Sequence, residues 1–73
     1  MNSLQRNIML FIDDYSHREK TPIPRKQVIK GMEEQGNKSY TVIKSLQVLL
    51  KEGYLRKSCI SSNTTSYVQI RRV

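Results

Sequence analysis

Side chains that donate and accept hydrogen bonds are concentrated between residues 39 and 45. Five of them are expected on one exposed helix face: Ser39, Tyr40, Thr41, Lys44 and Ser45. Short hydroxyl side chains beside a cation can form hydrogen bonds with the donors and acceptors of planar rings and with negatively charged groups. We therefore treat this stretch as a candidate surface for contact with a polyanion.

The charge of the chain is unevenly distributed along its length. Residues 1–36 hold six basic and five acidic side chains, whereas residues 37–73 hold seven basic side chains and one acidic one, Glu52. The second part has a balance of +6, which indicates a surface that meets polyanions. The alternative is an ordinary solvated face, but the hydroxyl groups beside these cations favour the polyanion interpretation.

Few groups in the sequence could carry catalysis or bind a metal. Cys59 and His17 are the only cysteine and histidine, which excludes an intrachain disulfide and an N/S metal site within one chain. The sequence also contains no glycine-rich phosphate loop, no HExxH or CxxC pattern and no nucleophile with a base partner. Asp13 and Asp14 are interpreted as a solvated helix face. We expect neither enzyme activity nor a cofactor, and no small-molecule ligand is indicated.

The length of 73 residues corresponds to a single domain, residues 1–73. A chain of this size buries only about 60% of the surface that its unfolded form exposes, so its core is thin. Self-association would compensate, and we expect a homodimer formed through the first helix or through the chain end at residues 71–73. The sequence has no secretion signal and no apolar run long enough for a membrane span. We therefore expect a cytoplasmic protein without membrane contact.

The N-terminal part has the spacing of an amphipathic helix followed by a break. Its apolar residues repeat on one helical face: Leu4, Ile8, Phe11, Ile12 and Tyr15. The helix would use Asn2 or Ser3 as its N-cap and run to about Arg18. Two prolines then flank Ile23, which fits a short extended piece with its side chain directed inward.

A second helix is predicted from Pro24, because proline is well tolerated in the first turn of a helix. Three residues would form its inner side: Val28, Ile29 and Met32. Gly31 in its middle costs on the order of 1 kcal/mol relative to alanine unless a neighbouring backbone needs the room. Gly36 followed by Asn37 is typical of a helix end in the left-handed conformation.

The third helix has the clearest pattern, with Ser39 as candidate N-cap and Gly53 at its end. One stripe is apolar and predicted to face inward: Val42, Ile43, Leu46, Leu49 and Leu50. The opposite side is predicted to hold Tyr40, Thr41, Lys44, Ser45, Val48 and Lys51. Residues 54–60 and 66–71 then have the alternation of two strands, joined by a polar turn. Three side chains of this hairpin are expected to face inward: Leu55, Val68 and Ile70.

This order of elements resembles a winged helix-turn-helix domain over nearly the whole chain. The resemblance is carried by residues 21–25 (TPIPR), residues 38–41 (KSYT) and residues 46–55 (LQVLLKEGYL). The last stretch is similar to a helix ending that recurs in this superfamily, including the DNA-binding domain of the bacterial SOS-response repressor and short phage and plasmid regulators. The fold class implied is α+β, mainly α, with three helices, a two-stranded wing and a short third strand at Ile23.

The resemblance implies that the third helix enters the major groove of double-stranded DNA. Four basic residues would contact phosphates: Arg25, Lys38, Arg56 and Lys57. Ser39 and the free N–H groups beside it would hold a phosphate at the positive end of the helix. Thr41, Lys44 and Ser45 would point at bases.

Two further roles follow from the same resemblance. Tyr40 would contact either a sugar–phosphate edge or a thymine methyl group. Asn63 and Thr64 would form the tip of the wing, which would lie along phosphates or a minor groove. Because this tip lacks arginine and lysine, the base of the hairpin is its cationic part.

The first hypothesis for function is a sequence-specific duplex-DNA binder that acts as a small transcription regulator of phage or mobile-element type, repressing by occlusion. Two alternatives stay open. A winged-helix domain can dock on a protein, for example as a phage-type inhibitor of a host protein. It can also bind nucleic acid without sequence preference in an architectural role. Salt separates a DNA complex from a protein interface, because affinity for DNA falls steeply as counterions are added.

Overall fold

Three helices and a three-stranded antiparallel sheet make up the fold in a computed structural model that describes residues 1–61 and 64–70. The helices are α1 (Ser3–Glu19), α2 (Arg25–Glu34) and α3 (Ser39–Lys51). The strands are β1 (Ile23–Pro24), β2 (Leu55–Ser61) and β3 (Thr64–Gln69). The predicted class, α+β and mainly α, is confirmed together with the short strand at Ile23. Within the described residues, no helix combines the length and the apolar character needed to cross a bilayer.

α1 begins with a capping box, in which two residues satisfy each other's backbone N–H groups. The Asn2 side chain accepts a hydrogen bond from the Gln5 N–H at 2.8 Å, and the Gln5 side chain accepts one from the Asn2 N–H at 3.1 Å. Asn2 rather than Ser3 is therefore the N-cap. The helix ends at Glu19, and Lys20 follows in the left-handed conformation with a φ of 60°.

α2 and α3 end in the same kind of hydrogen-bonded turn at a glycine. After α2, the N–H groups of Gly36 and Asn37 donate to carbonyls of the last helical turn at 2.9 and 3.1 Å. After α3, those of Gly53 and Tyr54 do the same at 3.2 and 2.9 Å. The two glycines have φ values of 95° and 82°, which favour a residue without a Cβ. Both predicted stop signals are confirmed.

The starts of α2 and α3 each differ from the prediction by one residue. Pro24 pairs in β1 and is the N-cap of α2, which begins at Arg25. Lys38 is the N-cap of α3, so the predicted capping role of Ser39 is wrong: Ser39 is already the first helical residue. Neither helix has a side-chain cap or an acidic residue in its first turn. Both therefore keep free N–H groups at the positive end of the helix dipole.

β3 lies in the middle of the sheet, between β1 and β2. Tyr67 pairs with Ile23 on one side and with Lys57 on the other, so these residues form a row across the sheet. The hairpin has a register irregularity between Cys59 and Ser61. Because β1 leads directly into α2, this pairing brings the start of α2 next to the hairpin.

The core is built from buried apolar residues of all six elements in the described part of the chain. Its members are Ile8, Met9, Ile12, Ile23, Val28, Met32, Val42, Leu46, Leu49, Leu55 and Tyr67. Most other residues predicted to face inward from the helices pack against it: Leu4, Phe11, Tyr15, Ile29 and Leu50. Ile43 is half-buried at the edge of α3. Burial of these side chains is the main force that holds the elements together.

The hairpin departs in part from its predicted inward set. Leu55 is buried as predicted and Val68 is half-buried, but Ile70 is 56% exposed, so its inward placement is wrong. Ile70 lies beyond β3, where its N–H donates to the carbonyl of Tyr54. Tyr67 is buried instead, because it occupies the central strand and pairs with the buried Ile23.

Candidate nucleic-acid interface

Four side chains form an exposed face of α3, here called the outer face: Tyr40, Lys44, Gln47 and Lys51. They follow one another at spacings of four, three and four residues, which places them on one line along the helix. All four are exposed, Tyr40 by 61%. The outer face presents a hydroxyl, an amide and two ammonium groups, and α3 contains no acidic residue.

Tyr40 and Lys44 lie against each other on the outer face. The Lys44 Nζ is 5.8 Å from the centroid of the Tyr40 ring. At exposed sites such a cation–π contact contributes about 0.5–1 kcal/mol. This energy favours one orientation of both side chains, and the ammonium group keeps its charge for an anion or a base acceptor.

The predicted placement of Ser45 on this face is wrong, since Ser45 is only 6% exposed. Val42 and Leu49 lie three residues before it and four after it, on the same side of the helix, and both are buried. Thr41 is half-buried. Of the three residues predicted to point at bases, only Lys44 lies on the outer face.

The start of α3 has the features of an anion-facing helix end. Lys38 and Ser39 are exposed there, and no side chain caps the helix. The free N–H groups carry a partial positive charge beside the Lys38 ammonium group. This arrangement is compatible with the phosphate contacts predicted for both residues.

The start of α2, the helix α3 and the hairpin enclose a groove of about 170 Å³. We call it the basic groove. Its lining includes Arg25, Gln47, Leu50, Lys57, Thr65 and Tyr67. Arg25 and Lys57, both predicted to contact phosphates, thus line the same groove. Gln47 belongs to the outer face as well, so the basic groove adjoins that face.

Arg56 and Lys57 are separated by the alternation of β2. Lys57 pairs with Tyr67 and lines the basic groove, whereas Arg56 pairs with Val68. Successive residues of a strand point to opposite faces of the sheet. Val68 lines a different cavity, next to the segment after α1. Both cations are exposed, but only Lys57 lies beside α3.

Tyr67 brings a hydroxyl-bearing ring to the basic groove and is only 3% exposed. Burial raises the pKa of its hydroxyl above the ordinary value of 10.0, and attraction by the Arg25 guanidinium partly offsets the rise. The hydroxyl is therefore protonated at neutral pH. It can donate a hydrogen bond while the neighbouring cation supplies the charge.

None of the described residues on the outer face or in the lining of the basic groove is acidic, although Glu52 directly follows Lys51. Among the described residues, Asp14 and Arg18 of α1 form an ion pair at 3.8 Å, and the His17 ring lies 3.4 Å from the Asp13 carboxylate. The other acidic residues stand at helix ends: Glu19, Glu33, Glu34 and Glu52. In the part of the chain that the structure describes, no ion pair neutralises the cations of the outer face or the basic groove.

Gln47 and Tyr67 are the site residues that sequence reasoning missed. Gln47 had a usable signal, because it lies three residues after Lys44 and seven after Tyr40. Tyr67 had none, since its position depends on the pairing of β3 with β1. The predicted wing-tip residue Asn63 lies outside the described residues, and so does the side chain of Thr64.

Comparisons of the chain with protein-family models, curated proteins and solved structures found no match.

Proposed function

We propose that this chain is a winged helix-turn-helix protein that binds duplex DNA sequence-specifically through α3. The observation that carries the proposal is the outer face of α3, which lies beside the cations of the basic groove. Groups that can donate to and accept from base edges stand next to groups that can neutralise phosphates. Major-groove recognition combines these two kinds of contact.

The dimensions of α3 support this docking mode. Its 13 residues give a length of about 20 Å at a rise of 1.5 Å per residue. An α-helix with its side chains is about 10–12 Å across, close to the roughly 12 Å width of the major groove. The outer face is on the side of the helix away from its buried stripe, so α3 can enter the groove while it stays packed on the core.

The order of elements supports the winged-helix part of the proposal. α2 and α3 are joined by the short turn 35–38, and the hairpin follows α3 within a few residues. β1 adds a third strand beside the hairpin. In this arrangement α3 would be the recognition helix and β2 with β3 the wing.

Each residue of the outer face has a distinct role in the proposal. The Gln47 amide matches the N6 donor and N7 acceptor of adenine. Lys44 can donate to the O6 and N7 acceptors of guanine, and Tyr40 contacts a sugar–phosphate edge or a thymine methyl group. Lys51 and Lys38, at the two ends of α3, contact phosphates and contribute affinity with little sequence information.

The biological role that we propose is repression by occupation of promoter DNA in the cytoplasm. The protein would be a small transcription regulator of phage or mobile-element type. Its action needs no chemical step, and neither a cofactor nor a small-molecule ligand is part of the proposal.

We further propose that the protein acts as a homodimer, in which each copy contacts one half-site. The exposed side chains of Met1 and Val48 line a cavity of about 290 Å³ together with Tyr54, Gln5 and Glu52. Ile70, which is also exposed, donates a backbone hydrogen bond to the Tyr54 carbonyl. We call Met1, Val48, Tyr54 and Ile70 the Tyr54 patch. Burial against a second copy would remove this apolar surface from water. In the sequence, Ile70 directly precedes residues 71–73, one of the two predicted dimer contacts.

A selection of bound duplexes from a random DNA library tests the proposed function. The winning duplex and a scrambled control are then titrated at several salt concentrations. We expect a palindrome whose half-sites lie about one helical turn apart. A dimer that touches about six to eight phosphates should give a log–log salt slope between about −5 and −7.

The other outcomes of this selection separate the alternatives. Salt-sensitive binding without enrichment of a sequence would contradict specific recognition and favour an architectural role. Absence of binding at low salt would contradict DNA binding altogether. A protein partner, such as a host enzyme, would then be the better proposal.

A further inference from the structure

We infer that the basic groove is a phosphate-binding site in which Arg25, Lys57 and Tyr67 hold one phosphate group beside Gln47. The inference rests on the proposed function for the source of that group, which would be a phosphodiester of the DNA backbone. Binding of a phosphate between two cations and a hydroxyl group requires no contact with a nucleobase.

The pairing of the sheet places these three residues together. Tyr67 stands in the central strand, with Lys57 as its neighbour in β2 and Ile23 as its neighbour in β1. Arg25 follows Ile23 by two residues and begins α2. The two cations therefore approach Tyr67 from opposite sides of β3, although they lie far apart in the sequence.

The donor set suits a phosphate. Arg25 offers a planar guanidinium, Lys57 a compact ammonium group and Tyr67 a protonated hydroxyl, and all three can donate to phosphate oxygens. None of the described residues that line the groove is acidic. The start of α2 beside it also has no side-chain cap and no acidic residue in its first turn. The site therefore offers donors and positive charge to a negatively charged ligand.

The size of the groove is compatible with one phosphate group. Its volume of about 170 Å³ is more than five times the ~30 Å³ that a water molecule takes up in the liquid. Gln47 forms part of the same wall and of the outer face of α3. A backbone phosphate held in the groove would thus lie next to the base that Gln47 contacts, and would set the register of α3 on the duplex.

Lys30 provides a matched control, because it is an exposed lysine of α2 that lines a different cavity, beside Phe11 and Gly31. We expect Lys57→Gln to reduce the steepness of the salt slope by about 1 per bound copy, and Lys30→Gln to leave it unchanged. Tyr67→Phe keeps the buried ring and should weaken binding roughly three- to tenfold by removing one hydrogen bond. Tyr15→Phe on α1 is the control for this change and should have no effect.

Neutral methylphosphonates, placed one at a time along a half-site of the selected duplex, identify the phosphate. We expect one position where the replacement weakens wild-type binding but causes no further loss in Lys57→Gln. Equal losses in both proteins at every position would overturn the inference, and so would equal effects of Lys57→Gln and Lys30→Gln.

Inorganic phosphate tests the groove without DNA. We expect millimolar phosphate to shift the NMR signals of Arg25, Lys57 and Tyr67 in the wild type and not in Lys57→Gln. If no duplex is selected, these shifts would retain the phosphate site while the proposed function fails. If a duplex is selected but the groove signals stay unchanged with phosphate and with DNA, the site is overturned while DNA binding stands.

Discussion

The Phe11 ring of α1 lies against the backbone of Gly31 in α2, in the space that a side chain at residue 31 would need. A Cβ at this position would overlap the ring. From sequence alone, Gly31 weakens its helix unless a neighbouring backbone needs the room, whereas in the structure an aromatic side chain takes up that room. The close approach of α1 and α2 at this point therefore depends on a glycine.

Gly31→Ala is expected to lower the free energy of unfolding by about 1–2 kcal/mol. Alanine favours a helix by about 1 kcal/mol over glycine, but overpacking against Phe11 costs up to about 3 kcal/mol. Denaturant unfolding measures the balance. The double variant Gly31→Ala with Phe11→Leu should recover part of the loss, whereas a Gly31→Ala protein more stable than the wild type would contradict the packing described.

Gln47→Ala is expected to weaken binding to the selected duplex by about 1–3 kcal/mol and to relax the preference at one base pair. The reason is that the exposed amide on the outer face would lose its base contact. Ser45→Ala is the matched control. Because Ser45 is buried, this substitution should change the affinity for DNA by less than about twofold. Fluorescence anisotropy on the selected and scrambled duplexes measures both. Equal losses on the two duplexes for Gln47→Ala would dismiss its role at a base.

Ser66→Ala is expected to raise the free energy of unfolding by about 1 kcal/mol. Ser66 is fully buried, and within the described residues its Oγ has no hydrogen-bond partner. A buried unsatisfied hydroxyl costs about 1–3 kcal/mol, and alanine removes it with little change in volume. Thermal unfolding of Ser66→Ala and of the exposed Ser39→Ala, which should stay within about 0.5 kcal/mol of the wild type, tests this. A clear loss of stability in Ser66→Ala would refute it.

Ile70→Glu is expected to convert the proposed dimer to a monomer, because it places a charge in the apolar Tyr54 patch. Leu10→Glu is the control: Leu10 on α1 is 53% exposed, close to the 56% of Ile70, but is not part of the patch. Sedimentation should give twice the 8.6 kDa monomer mass for the wild type and Leu10→Glu, and the monomer mass for Ile70→Glu. Dissociation by Leu10→Glu alone would place the interface on α1, and a monomeric wild type would remove the dimer.

The wild type is expected to lose stability above pH 10 faster than Tyr67→Phe. Burial raises the folded-state pKa of Tyr67 above its ordinary value of 10.0, so the folded protein holds this proton more tightly than the unfolded chain. The resulting stabilisation is fully present below the unfolded pKa and is lost as the pH rises through the folded pKa. Denaturant unfolding between pH 8 and 11 gives the two curves. Parallel curves would show that Tyr67 is not the responsible group.

Local patterns in the sequence were sufficient to predict the helices and most of their ends. Apolar residues at helical spacing place three helices close to where they are observed, and Gly36 and Gly53 end two of them because glycine adopts a positive φ without a steric cost. The position of Ile23 between two prolines predicted an extended piece. These features depend only on residues a few positions apart, so a single sequence is enough to predict them.

Tertiary structure decided which side of each element faces inward and which distant residues meet. The buried stripe of α3 takes in Ser45 and leaves Ile43 half-buried, because the packing of the helix on the core sets its rotation more finely than apolar spacing does. The register of β3 with both neighbours selects Tyr67 for burial, separates Arg56 from Lys57 and brings Arg25 to the hairpin. The sequence alone predicted that the candidate site would contain basic side chains and hydroxyl groups. Their assembly into one groove required long-range strand pairing. The residues next to a strand position in the sequence do not specify its partner on a neighbouring strand.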